Sequence, residues 1–572
     1  MNENAVQWRL TLAGVGLGLA MAGLCARLFV LHLGAPELWG GNGSNFAEEQ
    51  PAVRGRIFDR NGQRNAMALD VAVKDVCADP FVVTSDDRAS CLVSRLAPLL
   101  EMTEDAVAQR IFSRPGSRFA YVSRRVPEPV ADRIAAESLP GVFFRDTILR
   151  RYPQGSSMGH VIGFVNYEGV GSAGVEQRME RFLRGAPGYL ESSLNAKRQE
   201  LVGRRAQHIP AVAGADVHLT LDQNIQHRIE RILEDTVLRH RATAGLALVQ
   251  RVRTGEILAM ASWPFFDPNV FVESTPEQRR NRAIAFNYEP GSTFKPMVVA
   301  AALNEGLVTP ETLIDCENGV WHYLNRPLRD VRPNGMLSVT EVVAKSSNIG
   351  TAKIGLRLGD RALYRYLRAF GFGERSGIDL PGEERGILHP VERWSRLDAS
   401  RISIGQAVSV TPLQLLNAVC AIANDGILMR PHVVREIRGA DGATLFEARP
   451  EALGQPIRAE TARTIAHMMR LAVEEGGTGH RARLDDYETA GKTGTAQKVV
   501  DGVYSGTDYV ASFVGFLPVE NPEIGILVVV DEPRAEGYYG GLVAAPAFRA
   551  MAKETALYLD VLPTRYRLAQ RP

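Results

Sequence analysis

The feature that most constrains this chain is a serine and a lysine placed three residues apart, just ahead of an apolar run. Ser292 and Lys295 are followed by Pro296 and by the apolar residues Met297 to Leu303. Proline is tolerated in the first turn of a helix but not deep inside it, so Pro296 predicts a helix that begins near Ser292. Residues three apart on a helix share a face. We therefore expect the Ser292 hydroxyl to lie beside the Lys295 amine.

This pairing of side chains is typical of nucleophilic serine catalysis. A hydroxyl is a weak nucleophile until a base removes its proton, and a lysine can act as that base only when it is neutral. Burial, or a second cation such as Lys492, would lower the pKa of Lys295. The start of a helix also offers free backbone N–H groups for an oxyanion. Taken alone, the pattern also occurs by chance in a chain of 572 residues.

A second polar motif, Ser346-Ser347-Asn348, follows an expected helix. Ser338 and Glu341 have the spacing of a capping box, which predicts a helix running to about Lys345. The motif would then lie at the end of that helix, where Ser346 can relay a proton and Asn348 can hydrogen-bond a substrate amide. The alternative is that serine and asparagine merely terminate the helix.

The third motif is Lys492-Thr493-Gly494-Thr495, placed ahead of a predicted strand over 496–500. A glycine at 494 lets a ligand approach the backbone, and a lysine with two hydroxyls suits a carboxylate. The alternative is a glycine-containing edge strand with a solvated lysine.

The three motifs, in this order and with these flanks, resemble those of the class B penicillin-binding proteins. The resemblance covers nearly the whole chain, and its upstream part is similar to the non-catalytic pedestal that free β-lactamases lack. The further stretches that carry it are Arg54 to Gly62, Arg151 to Pro153, Gly159-His160, Gly171 to Glu176, Gly255 to Ala261, Asn281 to Ile284 and Ile404 to Gln414.

The resemblance implies an α+β protein built from an N-terminal transmembrane helix, an elongated α+β pedestal, and a penicillin-binding/β-lactamase-like transpeptidase domain with a mixed antiparallel sheet flanked by helices. Composition and resemblance together suggest five segments. They are a short cytoplasmic tail and anchor over 1–33, a linker over 34–53, a dimerisation-type pedestal over 54–214, a transpeptidase domain over 215–560 and a tail over 561–572.

Local patterns predict several elements of the last large segment. Ala215 to Leu221 is typical of a strand, and Asp222 is a good N-cap for the amphipathic helix that follows. The runs Leu246 to Val252 and Ile257 to Ala261 flank a turn and predict a hairpin. Val510 to Leu517 and Ile524 to Val530 are further strand candidates, and Ala544 to Leu559 is a helix candidate.

The N-terminus has the character of a membrane anchor. Leu10 to Ala26 contains no charged residue, and apolar residues resume over Leu28 to Leu33 after Arg27. If Arg27 snorkels, the stretch spans a bilayer core of about 30 Å. Lys and Arg are absent from 28–53, which favours a single-pass protein of the bacterial inner (cytoplasmic) membrane with its catalytic domain on the periplasmic side. The alternative is a signal peptide cleaved near Ala20-Met21-Ala22.

Charge and cysteine content exclude some classes of function. A formal net charge of +1 gives no basic excess for nucleic acid. The five cysteines show no C-x-x-C spacing, so we expect no zinc site. A bridge between Cys77 and Cys91 is conceivable in an oxidising compartment, and the remaining thiols are interpreted as core residues. We expect no metal and no organic cofactor.

The resemblance implies a peptidoglycan D,D-transpeptidase. Its donor is a stem peptide ending in D-Ala-D-Ala, and an amine of a neighbouring stem captures the acyl-enzyme. The implied roles are Ser292 as nucleophile on the penultimate D-Ala carbonyl, Lys295 as general base, Ser346 as proton shuttle to the leaving amine, Asn348 as peptide ligand, Lys492, Thr493, Gly494 and Thr495 as the substrate-binding strand, and the backbone N–H groups of Ser292 and Thr495 as the oxyanion hole.

The implied partners are lipid-linked nascent peptidoglycan strands, β-lactam antibiotics as covalent inhibitors, the membrane, a membrane glycan polymerase and division-complex proteins. The motif over 492–495 and the modest pedestal favour the division type over the elongation type. Two other classes stay open. One is a β-lactam sensor or hydrolase, which needs a base that activates water on the acyl-enzyme. The other is a scaffold whose pedestal recruits partners.

Overall fold

The computed structural model describes residues 8, 14–25, 27, 45–62, 65–83, 86–114, 116–193, 205–500 and 502–564. The chain divides into two compact units. One consists of Met1–Ala52 with Ala186–Val212, and the other of Val53–Gly185 with Ala213–Pro572.

The elements are as follows. The strands are β1 Asn45–Gln50, β2 Ile57–Phe58, β3 Ala66–Ala78, β4 Ala120–Pro127, β5 Val142–Arg151, β6 Gly188–Ser193, β7 Gln207–Ile209, β8 Asp216–Leu219, β9 Ala244–Arg251, β10 Ile257–Trp263, β11 Leu313–Asp315, β12 Val320–Tyr323, β13 Arg326–Arg329, β14 Met336–Ser338, β15 Leu428–Met429, β16 Val434–Arg438, β17 Thr444–Glu447, β18 Ala452–Gly454, β19 Ala490–Val500, β20 Val503–Leu517 and β21 Ile524–Asp531. The α-helices after β1 are Asp86–Leu99, Glu104–Phe112, Glu128–Ala136, Gly159–Ile162, Gly174–Arg178, Glu180–Leu183, Gln223–Arg239, Pro276–Arg279, Arg282–Ala285, Lys295–Asn304, Val339–Ala344, Asn348–Leu358, Asp360–Ala369, Asp398–Ile402, Pro412–Ala423, Ala459–Leu471 and Gly540–Tyr558. Short 3₁₀ turns occupy Pro80–Val82, Pro268–Glu273, Gly291–Phe294, Glu317–Gly319, Val391–Arg393 and His480–Ala482.

The smaller unit contains a three-stranded antiparallel sheet with the order β1-β6-β7. Residues 14–25 are helical. Over the described ranges, no helix is both long and apolar enough to cross a membrane. Much of the predicted anchor over 1–33, and the predicted linker up to residue 44, lie outside the described residues, so the anchor stays a prediction.

The larger unit contains a seven-stranded sheet with the order β17-β16-β8-β2-β3-β4, in which β5 also pairs with β3. Within this sheet, β2 and β8 pair in parallel and the other neighbouring strands pair antiparallel. This sheet combines strands from before residue 214 with strands from after it. A separate apolar cluster packs under β3 and β4 against the helices Asp86–Leu99, Glu104–Phe112 and Glu128–Ala136.

A five-stranded antiparallel sheet with the order β10-β9-β21-β20-β19 forms the centre of the larger unit. Every residue of β21 is buried because both faces of the sheet are covered. Alternate residues pack against helices Gln223–Arg239 and Gly540–Tyr558 on one face and against helix Pro412–Ala423 on the other. The predicted hairpin is present as β9 and β10.

Two helix starts agree with their sequence signals. The Asp222 side chain accepts hydrogen bonds from the backbone N–H groups of Asn224 and Ile225, which caps helix Gln223–Arg239. Ser338 and Glu341 form a reciprocal capping box at the start of helix Val339–Ala344. Both predictions are confirmed.

The cysteines carry no disulfide. All five are free, with Cys77 buried and Cys91 exposed, so the bridge left open by the sequence does not form. Cys316 and Cys420 are buried, in agreement with the core interpretation, whereas Cys25 is exposed. Of the predicted tail over 561–572, residues 565–572 lie outside the described residues.

Candidate active site

Ser292 and Lys295 lie on a tight turn that leads into a buried helix. Gly291–Phe294 is a 3₁₀ turn and the α-helix begins at Lys295, three residues later than the prediction placed it, with Pro296 in its first turn. Residues three apart eclipse one another in a 3₁₀ turn, so the two side chains still share one side. Gly291 has φ 56°, a left-handed conformation that favours glycine at the entry to the turn.

The Lys295 amine is fully buried and hydrogen-bonded to the second motif. It is 0% exposed, and its Nζ donates to the Ser346 carbonyl at 2.6 Å, to the Ser346 hydroxyl at 3.2 Å and to Asn348 Oδ1 at 2.7 Å. Among the residues that the structure describes, these are its hydrogen-bond partners, and the half-buried Ser292 hydroxyl, which the sequence predicts beside the amine, is not one of them. The first two motifs therefore meet through Lys295 and not through Ser292.

Burial changes the acid–base behaviour of both motif lysines. It lowers the pKa of Lys295 to about 7, against an opposing effect of Asp330 and Cys316. Burial also lowers the pKa of Lys492 well below its ordinary value, and the charge of Lys295 lowers it further. Of the two causes that the sequence offered for a lowered pKa of Lys295, burial and a nearby Lys492, burial is the main one.

Ser346 joins the two lysines. Its hydroxyl oxygen accepts a hydrogen bond from Lys492 Nζ at 2.8 Å as well as the one from Lys295. Both lone pairs of this oxygen are used, so its own O–H is available to donate. Ser346 has φ 60°, which is uncommon for a residue with a side chain and occurs often at functional sites.

The alternative that Asn348 merely terminates the preceding helix is wrong, because Asn348 is the first residue of the next helix. Ser347 caps this helix, Asn348–Leu358, by accepting a hydrogen bond from the Gly350 N–H at 2.9 Å. The Asn348 amide nitrogen donates to the Arg329 carbonyl at 2.7 Å, which leaves its Oδ1 directed at Lys295. The side-chain orientation is thus fixed at both ends.

Asp330, which no sequence motif singled out, supports the second motif. Its carboxylate accepts hydrogen bonds from the Asn348 N–H at 2.6 Å, the Ile349 N–H at 3.0 Å and the Ser347 hydroxyl at 2.7 Å. It therefore holds the whole second motif in place. No local pattern links Asp330 to a helix start 18 residues later, so only the fold reveals the contact.

The third motif lies inside a strand rather than ahead of it. β19 begins at Ala490, and β19 is the last strand in the order of the sheet. Lys492 is 0% exposed, which contradicts the alternative of a solvated lysine on an edge strand. A Cβ on Gly494 would lie 2.3 Å from the Ser512 hydroxyl and 2.9 Å from a Thr293 methyl, so this glycine allows close internal packing.

The two threonine hydroxyls of the third motif are partly occupied within the protein. Thr493 donates to the hydroxyl of Thr478 at 3.1 Å, a partner that the sequence did not indicate. Thr495 accepts a hydrogen bond from the Gly540 N–H at 3.0 Å. The Thr495 O–H is left to donate to an anionic ligand.

The site can therefore supply a serine hydroxyl, a buried amine with a pKa near neutrality and a strand of polar groups beside them. This set suits acyl transfer through a serine. Within the described ranges, no group of three or more His, Cys, Asp or Glu side chains is arranged to hold a metal ion.

Comparison with protein families gives two matches. Residues 245–553 match the family described as penicillin binding protein transpeptidase domain, and residues 49–219 match the penicillin-binding protein dimerisation domain.

Similar proteins extend over almost the entire chain. The peptidoglycan D,D-transpeptidase FtsI of Escherichia coli K12 is 34% identical over 98% of this chain and 94% of its own length. The probable peptidoglycan D,D-transpeptidase PenA of Neisseria meningitidis is 32% identical over 97% of this chain and 94% of its own. The crystal structure of penicillin binding protein 3 from Mycobacterium tuberculosis, complexed with aztreonam, matches with a TM-score of 0.70 and 28% identity, covering 90% of this chain and 98% of that one.

Proposed function

The chain belongs to the class B penicillin-binding proteins and is a peptidoglycan D,D-transpeptidase, and from this premise we propose that Ser292 forms its acyl-enzyme. In this proposal Ser292 attacks the penultimate D-Ala carbonyl of a stem peptide and the terminal D-Ala leaves. An amine of a neighbouring stem then takes the acyl group. The reaction builds the cross-link and restores the free serine.

Lys295 acts as the general base. With its pKa lowered to about 7, a large fraction of the buried amine is neutral near neutral pH and can accept the Ser292 proton. The Ser292–Lys295 hydrogen bond forms when substrate binds, since such bonds often tighten only in the complex. The proton then reaches the leaving amine through the Ser346 hydroxyl.

The remaining motif residues hold the substrate. Asn348 contacts the peptide amide, and Lys492 with the hydroxyls of Thr493 and Thr495 receives the terminal carboxylate, with Gly494 keeping the strand close to the nucleophile turn. The backbone N–H groups of Ser292 and Thr495 form the oxyanion hole, in which one donor is worth about 3 to 4 kcal/mol. The observation that carries the proposal is the hydroxyl of Ser346 bonded by two fully buried amines.

Acylation by a β-lactam tests this assignment. The strained ring resembles the D-Ala-D-Ala bond, so the drug should add its mass once, on the peptide containing Ser292. The adduct should persist, because a site that passes its acyl group to an amine need not activate water. Ser292→Ala should remain unlabelled, and the exposed Ser94→Ala should label like the parent. Turnover of drug in large excess over protein would support a β-lactamase instead.

The cellular setting is a separate proposal. The apolar N-terminal sequence supports a single-pass anchor in the cytoplasmic membrane with the catalytic domain outside, where a membrane glycan polymerase and division-complex proteins would be partners. Washing membranes with high salt should leave the full-length chain bound, since a spanning helix is released only by detergent. Release of a chain beginning near Gly23 would indicate a cleaved signal peptide.

The septal role is proposed from the resemblance to the division type. Imaging cells depleted of the protein tests it directly. Filamentous cells are the expected result, and round cells would assign the protein to side-wall synthesis.

A further inference from the structure

Glu289 lies three residues before Ser292, where three segments around the nucleophile meet. Its Oε1 atom accepts hydrogen bonds from the Ala407 N–H at 2.8 Å and from the Tyr504 hydroxyl at 3.2 Å. Within the described part of the chain, its Oε2 atom is buried without a hydrogen-bond partner. None of these residues belongs to the three motifs, so the roles assigned above leave this carboxylate unexplained.

The loop that contains Ala407 lies directly against the nucleophile turn. The Gly291 N–H donates to the Gly405 carbonyl at 3.0 Å, and a Cβ on Gly405 would lie 2.1 Å from the Gly291 carbonyl oxygen. Ala407 has φ 56°, a strained conformation for a residue with a side chain. The bond to Glu289 holds Ala407 in that conformation, and a shift of the loop would reach the residue next to Ser292.

Tyr504 links Glu289 to the β19–β20 hairpin. It pairs with Val499 near the hairpin end, and it is 42% exposed while Val503 beside it is 70% exposed. The hairpin end is thus only loosely held by packing, and its bond to Glu289 attaches it to the nucleophile turn. Burial raises the pKa of Tyr504 to about 12, so the hydroxyl stays a donor at neutral pH. The same hairpin carries Lys492 to Thr495 on β19.

We propose that Glu289 is a positioning residue. Its carboxylate connects the β19–β20 hairpin, through Tyr504, and the 404–410 loop, through Ala407, to the turn that carries Ser292. We call these two hydrogen bonds the latch. The latch fixes the distance between the nucleophile and the substrate-binding strand. This inference rests on the proposed function, because its effect is exerted on the acylation of Ser292. Glu289 acts through its neighbours, so the attack step depends on it more than initial binding does.

Stopped-flow kinetics with a fluorescent penicillin on the full chain separates initial binding from acylation. We expect Glu289→Ala to lower the acylation rate constant about tenfold, with initial binding changed less than about twofold. Tyr504→Phe should lower it about threefold. The double variant should lose about tenfold, not the product, because both changes remove the same bond. Glu289→Gln keeps a carbonyl acceptor and should recover to within about threefold of the parent.

A matched control is the pair Tyr366 and Glu305, whose hydroxyl–carboxylate bond of 2.8 Å lies outside the site. Tyr366→Phe and Glu305→Ala should acylate at the parental rate. If Glu289→Ala fails to fold by circular dichroism, the half-exposed Tyr504→Phe decides. Parental rates in both Glu289→Ala and Tyr504→Phe, or losses that multiply in the double variant, would overturn the latch and leave the proposed function standing. Absence of labelling at Ser292 in the parent would overturn both.

Discussion

Two groups of buried cations in the larger unit differ in the partners that they contact. In the pedestal segment, Arg54 and Arg150 each donate to Glu176 at 2.7 Å, and Asp70 accepts a further bond from Arg150 at 3.1 Å. Burial alone would lower the pKa of Arg150, but the carboxylates Glu176 and Asp70 raise it above its ordinary value. Both cations are thus paired directly with carboxylates.

The second group, Lys295 and Lys492, is just as buried, but its direct partners are hydroxyl, amide and carbonyl oxygens. The Ser346 hydroxyl lies between the two amines, and the pKa of each lysine is lowered. A buried cation with a carboxylate partner supports structure, whereas a buried cation without one becomes an amine that can exchange its proton. The role of a buried cation thus depends on whether a carboxylate is its direct partner, and not on how deeply it is buried.

The largest expected effect is a loss of acylation rate when an active-site lysine is replaced by arginine, the cation that the pedestal buries. Lys295→Arg places a guanidinium that cannot lose its proton where a neutral amine is needed, so β-lactam acylation should fall about 10⁴-fold. The rate can be followed by a fluorescent penicillin, with circular dichroism to confirm folding. Arg150→Lys keeps a charge in the pedestal and should acylate within about threefold of the parent. A fast Lys295→Arg variant would remove the base assignment.

The reverse change, unpairing the pedestal cations, should act on stability. Glu176→Gln leaves two buried guanidiniums without their shared carboxylate and should lower the free energy of unfolding by about 3–5 kcal/mol. Urea unfolding measures this loss, and the acylation rate constant of the folded protein should stay parental. Glu137→Gln, which breaks the exposed 3.3 Å pair with Arg95, is the control, with a cost under about 1 kcal/mol. Equal costs for both variants would contradict the contrast.

A smaller loss is expected when the second motif loses its support. Asp330→Ala removes the acceptor of the Asn348 and Ile349 N–H groups, so acylation should slow about 100-fold while the chain stays folded. Asp441→Ala also deletes a carboxylate that accepts a backbone N–H, from Ala443 at 3.0 Å, on an exposed turn, and should be silent. Parental acylation by Asp330→Ala would show that Asn348 needs no such support.

The smallest effect is the pH dependence of the parent. Because acylation needs neutral Lys295 and burial lowers its pKa to about 7, the rate should fall about tenfold per pH unit below that value and level off above it. Since the pKa of Lys295 is lower in the folded chain than its ordinary 10.5, the unfolded chain binds more protons between these values. The contribution of Lys295 to the free energy of unfolding should therefore rise with pH across that window. A rate that is flat from pH 5 to 9 would exclude this base.

The sequence predicted what depends on neighbouring residues. The capping box at Ser338 and the N-cap at Asp222 need only hydrogen-bonding groups two or three residues away, and the structure bears both out. The motif residues were also recognisable in order. Their meeting in one site was expected only from the family resemblance, because the Lys492 bond to Ser346 joins positions 146 residues apart. Asp330 was not predicted for the same reason. Its partners Ser347, Asn348 and Ile349 are distant in sequence and come close to it only in the folded chain.

Burial was the other quantity that the sequence left open. Lys492 had two interpretations, a ligand for a carboxylate and a solvated lysine, and the choice depends on packing that residue type does not encode. The start of β19 was misplaced because Gly491 and Gly494 have weak strand propensity. In the folded chain the close contacts of Gly494 with Ser512 and Thr293 make glycine the residue that fits.

The seven-stranded sheet has a consequence for how the chain can be made or divided. β8 pairs Leu219 with Val434 of β16, and β2 and β3 lie beyond β8, so strands that emerge early in synthesis await partners made more than 200 residues later. A chain trimmed to residues 245–553 would keep β16 and β17 but lose β8, leaving a two-stranded ribbon with an open edge. Such ribbons are marginally stable and invite association with other chains. The seven-stranded sheet can therefore close only in a chain that contains both the segment before residue 214 and the segment after it.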